Sequence, residues 1–487
     1  MTKTDNGFPM PVKGSPFAHQ KKAFEYTLCR FGQGPLHYFR SDGVALLMEM
    51  GTGKTLVGIA VAGYMGMRYG GNAVKRVLVV CPLSITGVWE SEFSRFADFP
   101  YKLRILDGPS EKRKRTLLEL SEDLEPGIKV AVVNYESAWR LEEELMAYNA
   151  DLVIADEAHR IKEARTRQSK ALHHLGDKAS YRILMTGTVI NNREIDVYSQ
   201  YRFLNPRIFG TSYFRFRNTY FDMSGYGNHT PVFRKTMTDD FLNRLHSVAF
   251  RVRKSECLDL PEVTEETRTV ELEPKAMRIY REMEKESFTQ LNDSEVSAVN
   301  VLTRLLRLSQ ITGGFITDDD RRTTCVSKAK LDALEDILDE AVGSGQKIVV
   351  MARFIPELDA IQDLLRKKDI GFSVIRGGIT DRDEQIAAFQ NDPGVQVFLG
   401  QIAAAGLGIT LTAASTMVFF SMDYSMANFE QAKARIHRAG QTENCHYIYL
   451  AAKGTVDRKV IRALRGKIDL AKALIDDWRA GRNPFAE

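Results

Sequence analysis

Two short strings hold residues of the types that handle a phosphoanhydride. The first is MGTGKT, residues 50–55, which follows the apolar run VALLM (44–48) and precedes LVGIAVAGYM, a helical stretch. A glycine-rich turn at a helix N-terminus offers several backbone N–H groups to one phosphate. Met50, Gly51, Thr52 and Gly53 would form that cradle. Lys54 would reach the β- and γ-phosphates, and the Thr55 hydroxyl would ligate Mg2+. The strict pattern has glycine at position 48, where this chain has Met48; the strand–loop–helix context argues for a phosphate role all the same. The second string is DEAH, 156–159, closing the run LVIA (152–155). If its strand neighbours the first, Asp156 lies beside the phosphate loop and holds Mg2+. Glu157, in reach of the same ion, orients and deprotonates an attacking water. The plain alternative, acidic residues on a helix dipole, fits poorly after a buried strand.

Two further strings extend this chemistry. The hydroxyls of Thr186 and Thr188 in TGT (186–188) can hydrogen-bond the acidic motif and, with His159, pass nucleotide state to another surface; a simple turn is the alternative. In QAKARIHRAGQ (431–441), a helix would put Gln431, Arg435 and Arg438 on one face. Alone, that is a solvated surface. With a bound triphosphate elsewhere in the chain, two fixed positive charges have something to meet. Arg435 and Arg438 would stabilise the charge on the γ-phosphate in the transition state if two lobes close on the nucleotide.

The elements that must position these residues are legible as short apolar runs separated by helical stretches. They are VALLM, VLVV (77–80), VAVV (130–133), LVIA and RILM (182–185), then KIVVM (347–351), FSVI (372–375), VQVFL (395–399), TMVFF (416–420) and HYIYL (446–450). Near-continuously apolar strands belong to parallel sheets covered on both faces. Alternation with helices reads as βαβ units, so the expectation is two α/β lobes of about five strands each. Between them, from about 190 to 325, the pattern is helical and irregular. LDLPEVTEETRTVELEP (258–274) reads as a linker or extended crossing. The domain division expected is 1–190, an ATP-binding lobe; 191–325, a protrusion and linker; 326–470, a second lobe; and 471–487, a tail.

Length and composition agree with this division. The 487 residues exceed what one core organises, and 44% apolar with 27% charged residues is an ordinary globular balance. Five scattered cysteines with no C-x-x-C pair suggest a reducing compartment and no structural zinc. No run of about 18 apolar residues exists, so no membrane span is expected, and MTKTDNGFPMPVKG has no signal-peptide core. The net charge is only +4, but residues 202–254 hold ten Lys/Arg against three Asp/Glu, with aromatics interleaved in YFRFRNTYF (213–221). Such a segment either grips phosphates and stacks bases or is a protrusion whose aromatics are core.

Taken together, these motifs resemble the superfamily 2 helicase-like ATPases, and within them the Swi/Snf-type, chromatin-remodeller-like DNA translocases, over residues 15 to 470. HQKKAFEY (19–26) is similar to the motif whose glutamine reads adenine, here Gln20. VCPLSITGVWESEF (80–93) and VVNYES (132–137) resemble the segments that contact the nucleic-acid backbone, which implies DNA contacts for Pro82, Ser84, Asn134 and Tyr135. LHSVAFRVRKSECLDLPEV (245–263) resembles the family's basic signature and implies a DNA role for Arg251, Arg253 and Lys254. KIVVMARF (347–354) and GQIAAAGLGITLTAAS (400–415) imply a DNA contact for Arg353 and nucleotide contacts for Gly406 and Gly408, with Gln431 beside them. Three positions depart from the family pattern. Val189 replaces a proline, Ala434 an aspartate, and YSMA (424–427) a Trp-Asn-Pro turn. The resemblance implies two tandem RecA-like parallel-sheet lobes with a helical protrusion between them. It also implies ATP and Mg2+ as cofactors, and a sequence-tolerant, double-stranded DNA partner. The expected activity is an ATPase that moves along duplex DNA, in a compact bacterial or viral-type member that is cytoplasmic, or nuclear if eukaryotic. A strand-separating helicase, a DNA-binding scaffold and a nucleotide switch on proteins are the alternatives. The intact Lys54, Asp156, Glu157, Arg435 and Arg438 count against the scaffold.

Overall fold

The computed structural model describes residues 2–4, 7–34, 39–67, 73–187, 193–224, 230–257, 260–292, 298–317, 322–379, 381–405 and 409–466, and isolated residues from 470 to 485. It divides into two compact units, Met1–Asp259 and Leu260–Glu487.

All ten apolar runs are strands. We number only the strands of the two main sheets. In the first unit these are β1 (Gly43–Met48), β2 (Arg76–Cys81), β3 (Tyr101–Ile105), β4 (Ile128–Asn134), β5 (Leu152–Asp156), β6 (Tyr181–Thr186) and β7 (Ala249–Val252). They form one sheet of order β7-β1-β6-β5-β2-β4-β3, and every pair is parallel. The central strands are buried along their whole length, which is what helices on both faces require. The second unit carries β8 (Val263–Val270), β9 (Ile348–Ala352), β10 (Gly371–Ile375), β11 (Val395–Gln401), β12 (Thr416–Phe419) and β13 (Cys445–Ala452). Its order is β8-β13-β12-β9-β11-β10, again all parallel.

Each sheet is larger than its five apolar runs. The extra strands lie at or near the edges and do not run apolar throughout. β3 is YKLRI and β8 is VTEETRTV. The stretch read as a linker at 258–274 therefore contains β8, which pairs with β13 over eight residues, from Val263 opposite Cys445 to Val270 opposite Ala452.

The helical segment between the sheets is divided in two. Helices Val197–Leu204, Tyr213–Tyr220 and Thr238–His246 share the first unit's core. Within YFRFRNTYF, Phe216 and Tyr220 are buried against Phe209 and Phe241, and Phe221 against Phe216 and Phe233, so these three aromatics are core rather than stacking platforms. Helices Pro274–Asn292 and Ala298–Thr312 belong to the second unit, where Tyr280, Val301, Leu305 and Leu308 are fully buried. The start of β1 is pressed against the end of helix Val197–Leu204. A Cβ on Gly43 would stand 2.0 Å from the Leu204 carbonyl oxygen, so only glycine fits there. Buried Arg182 ties the same corner, donating to the carbonyls of Leu204 (2.9 Å), Gly176 (2.6 Å) and Ala179 (3.2 Å). No helix among the described residues is long and apolar enough to cross a membrane.

Candidate nucleotide and nucleic-acid sites

In the first unit the C-terminal ends of β1, β6 and β5 lie side by side, the edge at which open α/β sheets bind ligands. The sequence reading supposed that the strand of Asp156 neighbours that of the phosphate loop. The sheet corrects this, because β6 runs between β1 and β5. Leu47 stands opposite Thr186, and Met185 opposite Asp156, so buried Thr186 separates the loop from the carboxylate. That places Thr186 where a hydroxyl can sense both.

The phosphate loop has its own internal scaffold. Gly51 (φ 83°) and Gly53 (φ 84°) adopt the left-handed backbone that glycine permits, and helix Lys54–Gly66 begins directly after Gly53. That helix aims unpaired N–H groups at the loop. Lys54 is buried and donates to the Met48 carbonyl at 2.8 Å. Met48 has no left-handed backbone, so glycine is not needed at that position. The Thr52 hydroxyl donates to the Glu49 carbonyl at 2.7 Å. Thr55 is the second residue of the helix, half-buried. Gln20 abuts the loop with both ends of its amide engaged: Oε1 accepts the Phe17 N–H at 2.9 Å, and Nε2 donates to the Thr52 carbonyl at 3.1 Å. A side chain on Gly53 would collide with that amide, its Cβ 2.1 Å from Gln20 Nε2.

Asp156 ends β5 fully enclosed. Its Oδ2 accepts the Trp89 indole N–H at 3.0 Å, and its Oδ1 accepts the Glu157 N–H at 2.9 Å. Burial, then the adjacent Glu157 charge, raises its carboxyl above the usual range, while Lys54 opposes the shift. Glu157 is buried in the left-handed region at φ 52°, a conformation that costs a non-glycine residue on the order of 1–2 kcal/mol, and its Oε2 lies 3.3 Å from His159 Nδ1. Among the described residues no group of three or more His, Cys, Asp or Glu is arranged to hold a metal. The hydroxyl of Thr55 and the carboxylate of Asp156 are nonetheless the oxygen donors that suit a hard divalent cation, and each Asp156 oxygen keeps a lone pair beyond its hydrogen bond.

Trp89, which the motif reading does not single out, and Tyr135, expected as a DNA contact, both bond Asp156. Tyr135 is buried, and its hydroxyl donates to the Asp156 carbonyl at 2.8 Å. Asn134 is also buried, and its side chain caps helix Tyr135–Arg140 by accepting the Ser137 N–H. The segments expected to touch nucleic acid thus also brace the acidic motif. Pro82 follows β2 and is buried. Arg251 and Arg253 are exposed, on and just after β7. The Lys254 N–H donates to Glu49 Oε2 at 2.9 Å, and the Glu49 N–H to the Val252 carbonyl at 3.1 Å, so the basic signature is bonded to the residue that opens the phosphate loop. Thr188, Gly406 and Gly408 lie outside the described residues, as does the side chain of Ser84.

In the second unit the expected helical face is only partly helical. Helix Met426–Lys433 ends before the arginines, and tight turns carry the chain from Ala434 to Gly440. Arg435 and Arg438 converge for another reason. Each donates from Nη1 to the same acceptor, the Ile409 carbonyl, at 3.1 Å. Arg435 also donates from Nε to the Gln431 carbonyl at 2.9 Å, and its own carbonyl accepts the Leu411 N–H at 3.0 Å. Gln431 and Arg435 are buried and Arg438 is half-buried. Gln441 holds the turn by donating to the Ala414 carbonyl (2.8 Å) and accepting from the N–H groups of Thr442 and Glu443.

Arg353 follows β9. Its N–H donates to Glu357 Oε2 (3.1 Å) and to Ser421 Oγ (2.8 Å). Glu357 is 1% exposed, and the same Oε2 also accepts from the Phe354 N–H (3.0 Å) and the Ser421 hydroxyl (2.5 Å). Its Oε1 has no hydrogen-bond partner. Burial pushes this carboxyl up to about 7.

Two outcomes are expected. Trp89→Phe removes the indole donor and keeps an aromatic ring, so Mg2+-dependent ATP turnover should fall roughly 10- to 100-fold, with a stability loss of about 1–3 kcal/mol from the undonated Asp156 oxygen; steady-state kinetics beside a melting curve checks it. For Glu357, a carboxyl raised in the folded state stabilises the fold below its unfolded pKa and loses that contribution as pH rises through about 7. Glu357→Gln cannot ionise. Its urea midpoint should match that of the wild type near pH 5 and exceed it at pH 8, and a difference independent of pH would show that Glu357 does not titrate in that range.

Similarity to known proteins is extensive. The SNF2-related domain model matches residues 19–313, and the helicase conserved C-terminal domain model matches residues 329–440. The chain is 27% identical over 450 residues to a mouse (Mus musculus) protein, "Chromodomain-helicase-DNA-binding protein 1-like", covering 89% of this chain and 48% of that protein. It is 27% identical over 445 residues to an "Uncharacterized ATP-dependent helicase" of Mycoplasma pneumoniae, covering 89% of this chain and 40% of that one. To a "DNA repair and recombination protein RAD54-like" of Drosophila ananassae it is 26% identical over 492 residues, covering 91% and 61%. The chain thus spans about half the length of the curated relatives it matches. Among solved structures it is similar to the Sulfolobus solfataricus SWI2/SNF2 ATPase core in complex with dsDNA, at 26% identity, 98% and 95% coverage and a TM-score of 0.44.

Proposed function

This chain belongs to the SNF2-related family, and from that premise we propose that it is a DNA-dependent ATPase that couples hydrolysis to movement along duplex DNA. The observation that carries the proposal is the gathering of Lys54, Thr186, Asp156 and Glu157 at one edge of the first sheet, with the basic segment Arg251–Lys254 hydrogen-bonded to Glu49 at the mouth of the same loop. In this reading the loop N–H groups from Met50 to Gly53 and the Lys54 ammonium hold the triphosphate, and Gln20 meets the base. Glu157 takes the proton of the attacking water. Mg2+, held by Thr55 and Asp156, would screen the phosphate charge. Arg435 and Arg438, already fixed on one carbonyl, supply positive charge to the γ-phosphate in the transition state.

DNA contacts are assigned to Pro82, Ser84, Arg251, Arg253, Lys254 and Arg353. Contacts of this kind address phosphates and carry no sequence information, so binding is sequence-tolerant and weakens with salt. ATP binding is assigned to the first unit and the second motor lobe to the second, so the segment 191–325 is shared between them.

The deciding experiment measures ATP turnover without DNA, with duplex and with single strands, alongside displacement of the third strand from a triplex and unwinding of a plain fork. Duplex-stimulated turnover and triplex displacement with poor fork unwinding are expected, and Lys54→Ala should abolish both activities. Efficient fork unwinding stimulated by single strands alone would replace the translocase reading with a strand-separating helicase. Arg438→Lys keeps the charge and loses the planar fork, so kcat should fall by about 10³ or more on the analogy of arginine fingers, with a smaller change in ATP affinity. A change confined to KM would make Arg438 a ground-state binding residue.

A further inference from the structure

The guanidinium of Arg353 lies 3.8 Å from the ring centroid of Tyr424, well inside the range of a cation–π contact. This tyrosine opens YSMA, the stretch that stands in place of the family's Trp-Asn-Pro turn. It is clamped from both sides. Its hydroxyl lies 2.8 Å from Ser309 Oγ on helix Ala298–Thr312, and its N–H donates to Asp423 Oδ1 at 2.7 Å. Burial pushes the phenol up to about 12, so the hydroxyl keeps its proton at any working pH. The backbone of Arg353 is pinned separately by Glu357 and Ser421.

With backbone and ring face both fixed, the guanidinium has one orientation. A guanidinium carries five N–H donors. Among the described residues its side chain donates from Nη1 to the Met422 carbonyl at 3.4 Å and is hydrogen-bonded to the Tyr424 hydroxyl, two contacts that do not exhaust five donors. Arg353 also lines a cavity of about 310 Å3 with Phe315, Phe354, Ile355 and Gln401. A stacked, preoriented guanidinium with donors to spare is the arrangement that takes a phosphate in bidentate fashion.

We propose that Tyr424 is a positioning residue, which stacks Arg353 so that the open edge of its guanidinium accepts a phosphate of the DNA backbone. The proposal rests on the DNA-binding reading above. It adds that this chain holds its second-lobe phosphate contact through a tyrosine supplied by the loop after β12.

The test uses the full chain and a random-sequence duplex, with affinity read by fluorescence anisotropy across a salt series. Tyr424→Ala should weaken duplex binding roughly tenfold and flatten the slope of log K against log salt by about 0.9, one phosphate contact. Arg353→Ala should do the same, and the double variant should be no worse than either. Tyr424→Trp, which restores a stacking face, should bind like wild type. In DNA-stimulated ATP turnover, the effect should fall on the half-saturating DNA concentration more than on kcat. If Tyr424→Ala does not fold, Tyr424→Leu, which keeps apolar bulk and loses the aromatic face, carries the same expectation. Additive losses in the double variant, or weaker binding with an unchanged salt slope, would make Tyr424 a packing residue and overturn the proposal. A wild type that binds duplex beside a Tyr424→Ala that binds equally well sinks this inference alone. A wild type that binds no duplex sinks the DNA-binding reading and this inference with it.

Discussion

Asp156 is a carboxylate at the dry end of a buried parallel strand, and much of the first unit is arranged around it. An unpaired buried charge is costly, and the usual remedy is to give each oxygen a donor. Here the donors come from two directions. The Trp89 indole reaches in from helix Thr86–Phe96, and the Glu157 N–H is turned back onto Asp156 by a left-handed backbone. Lys54 supplies the nearby positive charge. The consequence runs outward. Helix Lys54–Gly66 packs so closely on β6 that a Cβ on Gly58 would stand 2.4 Å from Met185 Cε, and it would lie in ordinary contact, 3.4 Å, with the ring of Trp89, the residue that holds the acid. Tyr135, at the start of a segment expected to meet nucleic acid, is bonded to the Asp156 backbone. A shift in any of these elements is felt at one carboxylate.

The second unit solves a different problem by similar means. Two guanidiniums close together repel, and side chains as long as arginine lose much conformational freedom when fixed. A single carbonyl, that of Ile409, accepts from both. Converging on one acceptor fixes two positive groups side by side. The turn that follows the helix is what permits it. Continued helix would have spaced the side chains along a face, whereas the turn lets both reach back to the same oxygen.

Legibility in the sequence followed burial. Strands covered on both faces, such as Gly43–Met48 and Leu152–Asp156, read as unbroken apolar runs and were all placed correctly. Tyr101–Ile105 does not stand out because a half-exposed edge strand needs only alternate apolar residues, and Val263–Val270 does not because its six central residues are all polar. Strand order is set by packing among distant segments, and no local pattern announces that β6 runs between β1 and β5. The end of helix Met426–Lys433 was missed because Ala434 to Arg438 contains neither glycine nor proline; tertiary hydrogen bonds to Ile409 and Leu411 decide it. Composition left open whether the aromatics of 213–221 meet bases or pack inward; Phe216, Tyr220 and Phe221 pack inward, while Phe214 is exposed. Trp89 lay within a recognised motif, but its donor role depends on a fold partner 67 residues away.

The departure at Met48 shows which part of a motif physics requires. The loop needs left-handed backbone at Gly51 and Gly53, and there a side chain would be strained or, at Gly53, would strike Gln20. At position 48 it needs a carbonyl for Lys54, and the last residue of a β-strand supplies one whatever its side chain. Met48 is fully buried, so its side chain can add to the core beneath the loop. Glycine there would leave that volume unfilled and loosen the strand end. The substitution therefore keeps the phosphate cradle and strengthens its floor. By the same logic Tyr424 can stand where the family has tryptophan, since what the neighbouring Arg353 needs is an aromatic face held still.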